Sequence, residues 1–372
     1  MMRLTSKLLT FFVGGTFIFS GLIKVNDPKG TAIKLEEYFT VFADDVSSFA
    51  PFLEDFFLGL IPLAMIFSIV ISSLEVILGT ALLFGYRKKY TLKAILGLLL
   101  FFGFLTFYSA YFNKVTDCGC FGDAIKFTPW ESFTKDLVLL VATLLIFAHP
   151  YNRSANYTSL FSTVMVAAST LACAGIAGYA LMHLPIVDFR PYKIGANIPA
   201  LLSPTTPCQY VYIMEKGGEE FEFQKYPTEP GYNYVSSRLL NEEACISPIP
   251  DFNFTDADGN DYTNTLLSGN KLVIIIELVS KANQAPFDDF VKLQNSLKDS
   301  SIEVVTLTAD PSHYKAFAQE KGLEWPYAIG DATVLKAMIR SNPGIILLKD
   351  GVVAGKWHYN DTPSAEILLP LL

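Results

Sequence analysis

Cys118 and Cys120, in the stretch Val115-Thr116-Asp117-Cys118-Gly119-Cys120-Phe121-Gly122-Asp123, are the only near-neighbour cysteines of the chain and lie between two apolar runs. Such a pair can close a small, strained disulfide ring, because a residue without a Cβ adopts the backbone angles that the ring demands. Strained disulfides are the readily reduced, exchange-active ones, so redox chemistry is the leading reading. Two alternatives stay open: an inert bridge, and half of a soft-metal site. No histidine or further cysteine lies nearby to complete a tetrahedral set, and no metal is assigned. Lys114 would favour a thiolate while Asp117 and Asp123 would oppose it, so the charges set no order of attack.

The surroundings that must position this pair are those of a membrane protein. Of 372 residues, 51% are hydrophobic, 17% are charged and 30 are Phe, which is too apolar for an ordinary soluble chain. Up to Leu184 there are 13 basic and 12 acidic residues; from Pro185 onward there are 15 and 24. We therefore expect a transmembrane domain over 1–184, a connector with a β-hairpin over 185–249 and an α/β domain over 250–372. The net charge of −8 argues against nucleic acid, which needs clustered Lys and Arg. Membrane lipid is the expected surrounding.

Five spans are expected, over 8–23, 56–86, 92–112, 137–148 (reaching back to Trp130) and 160–184. The first follows Arg3 and Lys7 but has no small-x-small cleavage site, so it reads as a retained span rather than a removed signal. The second exceeds the roughly 20 residues that cross a bilayer; it must tilt, break near Pro62 or begin outside the hydrocarbon. Arg3 and Lys7, then Arg87, Lys88, Lys89 and Lys93, then Arg153 fall in segments free of Asp and Glu, and such segments stay cytoplasmic. The expected topology is a bacterial inner-membrane protein with a cytoplasmic N-terminus. It puts the Cys118/Cys120 loop and everything after Pro185 in the oxidising periplasm.

Glu75, in Ser72-Ser73-Leu74-Glu75-Val76, is the one ionisable residue deep within an expected span. A charge there costs about 2.5–3.5 kcal/mol on insertion scales, which makes Glu75 a candidate for function, against the plain reading of a carboxyl that ties the bundle together. Cys173 reads as a small packing residue, and His183 as an interfacial side chain.

In the second half, 209–215 and 219–226 joined through Gly217-Gly218 read as a β-hairpin. Cys208 and Cys245 flank it, and a structural disulfide between them is the economical reading, with an electron relay to the membrane pair as its rival. Beyond Ile249 come a strand (271–278), a helix (286–297), a strand (302–308), helices at 313–321 and 332–339, and a hairpin of 344–348 with 352–357. This order, with Asn342-Pro343 just before the penultimate strand, resembles the thioredoxin fold, whose proline at that point is cis and faces substrate. Binding of extended client segments near Asn342 and Pro343 is therefore expected. The loop after the first core strand, Val279-Ser280-Lys281-Ala282-Asn283-Gln284-Ala285, has no cysteine, so no nucleophile for exchange.

Phe19-Ser20-Gly21-Leu22-Ile23-Lys24, Glu75 with Gly79, and Cys118-Gly119-Cys120-Phe121-Gly122 resemble the DoxX-like membrane proteins, specifically the methylamine-utilisation MauE type, over about residues 4–147. The resemblance implies a small helical bundle that acts beside a thioredoxin-like partner in maturing a disulfide-rich periplasmic subunit. DoxX relatives add a link to quinone. Three functions follow as expectations. The first is a thiol-disulfide redox protein in which Cys118 and Cys120 exchange with a periplasmic client or thiol partner, Glu75 handles a proton and quinone takes the electrons. The second is a non-catalytic envelope assembly factor with a fixed Cys118–Cys120 bridge. The third, a transporter, rests on Glu75 alone.

Overall fold

The computed structural model describes residues 2–115, 119, 121–125, 127–149, 158–204, 206–241, 245 and 247–372. The chain forms two compact units, Met1–Phe189 and Arg190–Leu372. Among the described residues the first unit is helical: α1 (Met2–Asn26), α2 (Pro28–Ser47), α3 (Pro51–Leu60), α4 (Ala64–Leu83), α5 (Lys88–Phe112), α6 (Pro129–Ala148) and α7 (Leu160–Met182).

Four stretches among the described residues are long and apolar enough to cross a membrane: Leu4–Asn26, Pro51–Leu83, Lys88–Phe112 and Leu160–Met182. The expectation of five spans is thus met only in part. The remaining one, α6, is a helix, but Glu131, Lys135 and Asp136 occupy its first two turns and leave the apolar part short. The long second stretch changes to a 3-10 turn at Ile61–Leu63, where Pro62 removes an amide donor and crowds the preceding turn.

α2 lies between the first two expected spans, in a segment that mixes lysines with carboxylates. Asp27 caps it by accepting the Gly30 N–H at 2.9 Å, and Ala32, Leu35, Tyr38 and Ala43 are turned inward. α1 and α4 touch without intervening side chains. A Cβ built on Gly21 would lie 2.8 Å from the Ser72 carbonyl oxygen, and one on Gly79 would lie 2.7 Å from that of Gly14. Small residues at such a crossing let two backbones approach. The core between them and α5 and α6 is aliphatic and aromatic: Val13, Phe17, Leu82, Leu92, Ile95, Leu139 and Ile146. At the end of α7, Asn26 donates to the Val187 carbonyl at 2.8 Å and accepts its N–H at 3.0 Å.

Among the described residues the second unit holds two sheets. The smaller has order β2-β1-β3, from β1 (Tyr210–Lys216), β2 (Glu219–Phe223) and β3 (Asn233–Leu239). The expected hairpin is its first two strands, and β3 is an addition to it. The larger has order β4-β7-β6-β5-β8-β9, from β4 (Phe254–Thr255), β5 (Asn270–Ile276), β6 (Ile302–Thr308), β7 (Tyr327–Gly330), β8 (Gly344–Lys349) and β9 (Val352–His358). β5, β6 and β7 run parallel, and β4, β8 and β9 are antiparallel to their neighbours. Helices α8 (Phe287–Leu297), α9 (Pro311–Lys321) and α10 (Ala332–Met338) join the strands. β5 is buried along nearly its whole length, as a central strand covered on both faces should be. Beneath the sheet, Tyr314 Oη and Trp325 Nε1 both donate to Thr306 Oγ1 at 2.8 Å. The outer edge of β9 is partly covered by the connector, since Gly195 N–H donates to Val353 O and Val353 N–H to Ala196 O.

Candidate functional site

The helix–helix approach at Gly21 and Gly79 sets the distance between the polar residues just beyond it. Lys24, in the last turn of α1, has its Nζ 2.5 Å from Glu75 Oε1 of α4, with side-chain exposures of 6% and 3%. Glu75 is therefore not a solitary charge: it has a cation that sequence reasoning left outside the span. The Lys24 ammonium also lies 4.6 Å from the centre of the Phe102 ring of α5, a cation–π contact. One turn along α5, Thr106 Oγ1 is 3.1 Å from Asp136 Oδ2 of α6, and Lys135 Nζ is 2.5 Å from Asp136 Oδ1. Asp136 is 2% exposed. Two buried carboxylates, Glu75 and Asp136, thus lie beside α5, the first paired with a buried lysine and the second with a partly exposed one, as burial of charge requires.

Cys118 and Cys120 lie outside the described residues, as do Asp117 and Arg153. The residues beside and between the two cysteines are placed. Gly119 has φ +61°, a conformation in which glycine carries no steric cost, and a Cβ on it would lie 3.2 Å from Cγ of Lys34 in α2. Phe121 is buried, with its ring 5.6 Å from that of Phe19 in α1, and Lys135 Nζ sits 5.5 Å from its centre. A Cβ on Gly122 would lie 3.2 Å from Ile23, the residue before Lys24. Gly119, Phe121 and Gly122 in this way rest on α1 and α2, and Gly122 meets the residue next to Lys24. Ahead of the loop, Val115 packs with Tyr38 and Leu105, and Lys114 pairs with Asp45, which also accepts from Tyr108 Oη. The Lys114 ammonium, and after it the Tyr108 hydroxyl, holds the Asp45 carboxyl below the usual carboxylate range.

Cys173 is free and buried, packed with Val25, Val76 and Ala177. In the second unit Cys208 and Cys245 are joined by a disulfide with a Cα–Cα distance of 4.7 Å, beside the three-stranded sheet. The Asn342–Pro343 bond is cis. Asn342 Nδ2 donates to Leu278 O and Asn283 N–H to Asn342 O, each at 3.0 Å, so the cysteine-free loop is tied to the proline segment. Next to it Lys336 Nζ lies 3.3 Å from Glu277 Oε1.

Sequence reasoning missed Lys24, Asp136 and the Asp45–Tyr108–Lys114 group. Lys24 ends a quoted motif, and a lysine closing one apolar helix when a carboxylate interrupts another was the available signal. Asp45 and Lys114 belong to segments far apart in sequence, and nothing local couples them.

No curated protein matches the chain. Three solved structures show local likeness. A protein of Aquifex aeolicus VF5 named for electron transfer is 17% identical, with 32% of this chain and 91% of that one covered at a TM-score of 0.27. The C-terminal domain of a Bacteroides thetaiotaomicron protein named as a thiol-disulfide oxidoreductase is 18% identical, with 28% and 80% covered at 0.23. A second Bacteroides thetaiotaomicron protein, named as a protein disulfide isomerase, is 17% identical, with 33% and 82% covered at 0.25. The strand order and the cis-proline, rather than these likenesses, identify the thioredoxin-like topology. Residues 2–149 match the family model described as methylamine utilisation protein MauE, and the six-stranded sheet that follows has the strand order of a thioredoxin-like topology.

Proposed function

We propose that the protein is a membrane thiol-disulfide redox protein acting on envelope clients through Cys118 and Cys120, as in the maturation of disulfide-containing proteins. The observation that carries this reading is the seating of Gly119, Phe121 and Gly122 against α1 and α2 beside the buried Lys24–Glu75 pair. A client dithiol attacks the Cys118–Cys120 disulfide, a mixed disulfide forms and the second cysteine's sulfur leaves. The client's other thiolate then closes the client disulfide, and both membrane cysteines become thiols. In this reading Glu75, with Lys24 beside it, receives or returns a proton as the pair cycles. In the proposed topology the N-terminus is cytoplasmic, and α6 crosses as a short fourth span with Asp136 held by Thr106 and Lys135. The Cys loop and the second unit then face the periplasm.

A second reading is favoured by the cysteine-free loop tied to Asn342: the thioredoxin-like domain binds clients near Asn342 and Pro343 without exchanging thiols, and Cys208–Cys245 is structural. Thiol trapping in intact cells separates the two. A cycling Cys118/Cys120 pair is recovered partly reduced, and single Cys→Ser variants trap client adducts. A pair that is always oxidised, together with full activity of the Cys118→Ser/Cys120→Ser variant, sinks the redox reading and leaves the assembly factor.

A further inference from the structure

At one end of the small sheet β1 outruns its neighbour. β2 stops at Phe223, opposite Tyr212, while β1 starts at Tyr210, paired there with Leu239 of β3. Tyr210 and Val211 therefore have no strand on the β2 side. Gln209 O accepts from Leu240 N–H at 2.8 Å, toward β3, and a trans peptide unit that aims its carbonyl one way aims the following N–H the other. The Tyr210 N–H thus points into the fork left by β2, and among the described residues no backbone carbonyl of 224–226 takes it up.

A cavity of about 480 Å³ opens at this fork. Gln209, Tyr210 and Tyr212 line it from β1, and Gln224, Lys225 and Tyr226 from the segment that leaves β2. The Tyr212 ring lies 6.0 Å from that of Tyr210 and 5.4 Å, edge to face, from that of Tyr226, and Tyr210 and Tyr226 are 40% and 55% exposed. Among the described residues no hydrogen bond or ion pair engages the three hydroxyls, the two side-chain amides or the Lys225 ammonium. Of the described residues lining the cavity, Lys225 alone is charged. Rigid rings beside free hydroxyls and amides are the surface that protein-recognising loops use, and a free strand margin is what an extended peptide pairs with.

We infer that this fork binds an extended segment of a client protein. The segment's backbone continues the place of β2 beside Tyr210, an apolar side chain enters among the three tyrosines, and an acidic residue next to it meets Lys225. The inference rests on the client-binding reading above and adds a second holding surface, remote in sequence from Asn342 and Pro343. It needs no thiol. A glycan uses rings and amides as well, but has no backbone to pair along a strand.

The test uses the full chain in phospholipid nanodiscs and two fluorescein-labelled, cysteine-free peptides that alternate Thr and Val around a central Tyr-Asp or Tyr-Lys pair. Anisotropy should show the acidic peptide binding about tenfold more tightly than the basic one. Tyr226→Ala should weaken its binding about tenfold. Lys225→Glu should reverse the preference, a gain for the basic peptide that a misfolded chain does not produce. Hydrogen exchange at the Tyr210 amide should slow when the acidic peptide is bound. An unchanged preference in Lys225→Glu, protection that spares β1, or displacement of the peptide by chitotetraose would overturn the assignment. Peptide binding lost in Pro343→Ala but intact in Tyr226→Ala refutes the fork and leaves the reading at Asn342 and Pro343 standing. No peptide binding at all refutes both.

Discussion

Lys24 Nζ lies 2.5 Å from Glu75 Oε1, and both side chains are almost wholly buried. Removing one partner leaves the other's charge in apolar surroundings, which costs about 3–5 kcal/mol for buried pairs. Lys24→Met or Glu75→Leu alone should therefore lower the resistance of the membrane unit to denaturation sharply. The double variant, with neither charge, should recover most of it. Equal losses in the single and double variants would refute the coupling; the measurement is a melting series on the full chain in one detergent.

Gly79 should tolerate no side chain. A Cβ there would meet the Gly14 carbonyl at 2.7 Å and the Ile18 backbone nitrogen at 3.0 Å, so Gly79→Ala must push α1 from α4 and separate Lys24 from Glu75. We expect a loss of about 1–3 kcal/mol, as for other overpacked contacts. Gly103→Ala, where nothing lies within 4 Å of the added carbon, should leave the melting point in place or raise it slightly.

The Cys208–Cys245 bond closes a sequence separation of 37 residues. Loop entropy gives such a closure roughly 3–4 kcal/mol. Replacing both cysteines by serine should lower the stability of the second unit, with β1, β2 and β3 gaining hydrogen exchange first, and leave Cys118/Cys120 trapping unchanged. Unaltered exchange in those strands would count against the bond as their support.

Asp45 gives a pH dependence with a definite sign. Its carboxyl sits below the usual range because Lys114 and then Tyr108 hydrogen-bond to it, so the folded state prefers the charged form. That preference acts fully above the unfolded value of about 3.9 and fades as pH falls through the lower folded value. The wild-type chain should melt above Asp45→Asn at pH 6–7, and the two curves should converge in strong acid. Divergence growing toward low pH would reverse the assignment.

How much of this was legible in sequence depended on whether the signal was local. The strands at 302–308 and 344–349 are apolar runs bounded by polar or glycine residues, and their positions follow from that pattern. β3 was not legible: Asn233–Leu239 alternates poorly and is largely exposed, so only pairing with β1 makes it a strand. α2 hides its inward row of Ala32, Leu35 and Tyr38 among lysines and carboxylates. The site divides in the same way. The Cys-x-Cys spacing and Glu75 stand out in the chain itself, whereas Lys24 joins Glu75 only through a backbone contact between two glycine-bearing helices. The Lys24–Glu75 pair spans 51 residues, and no local window contains it.

The loop 279–285, tied by Asn283 and Asn342 to the proline segment, carries no sulfur. Any complex formed on that face ends by dissociation alone. Its lifetime is then set by an off-rate, insensitive to reductant and tunable by ordinary contact mutations. Under the proposed function, holding a client and oxidising it are separate clocks, and a mutation that slows one leaves the other untouched.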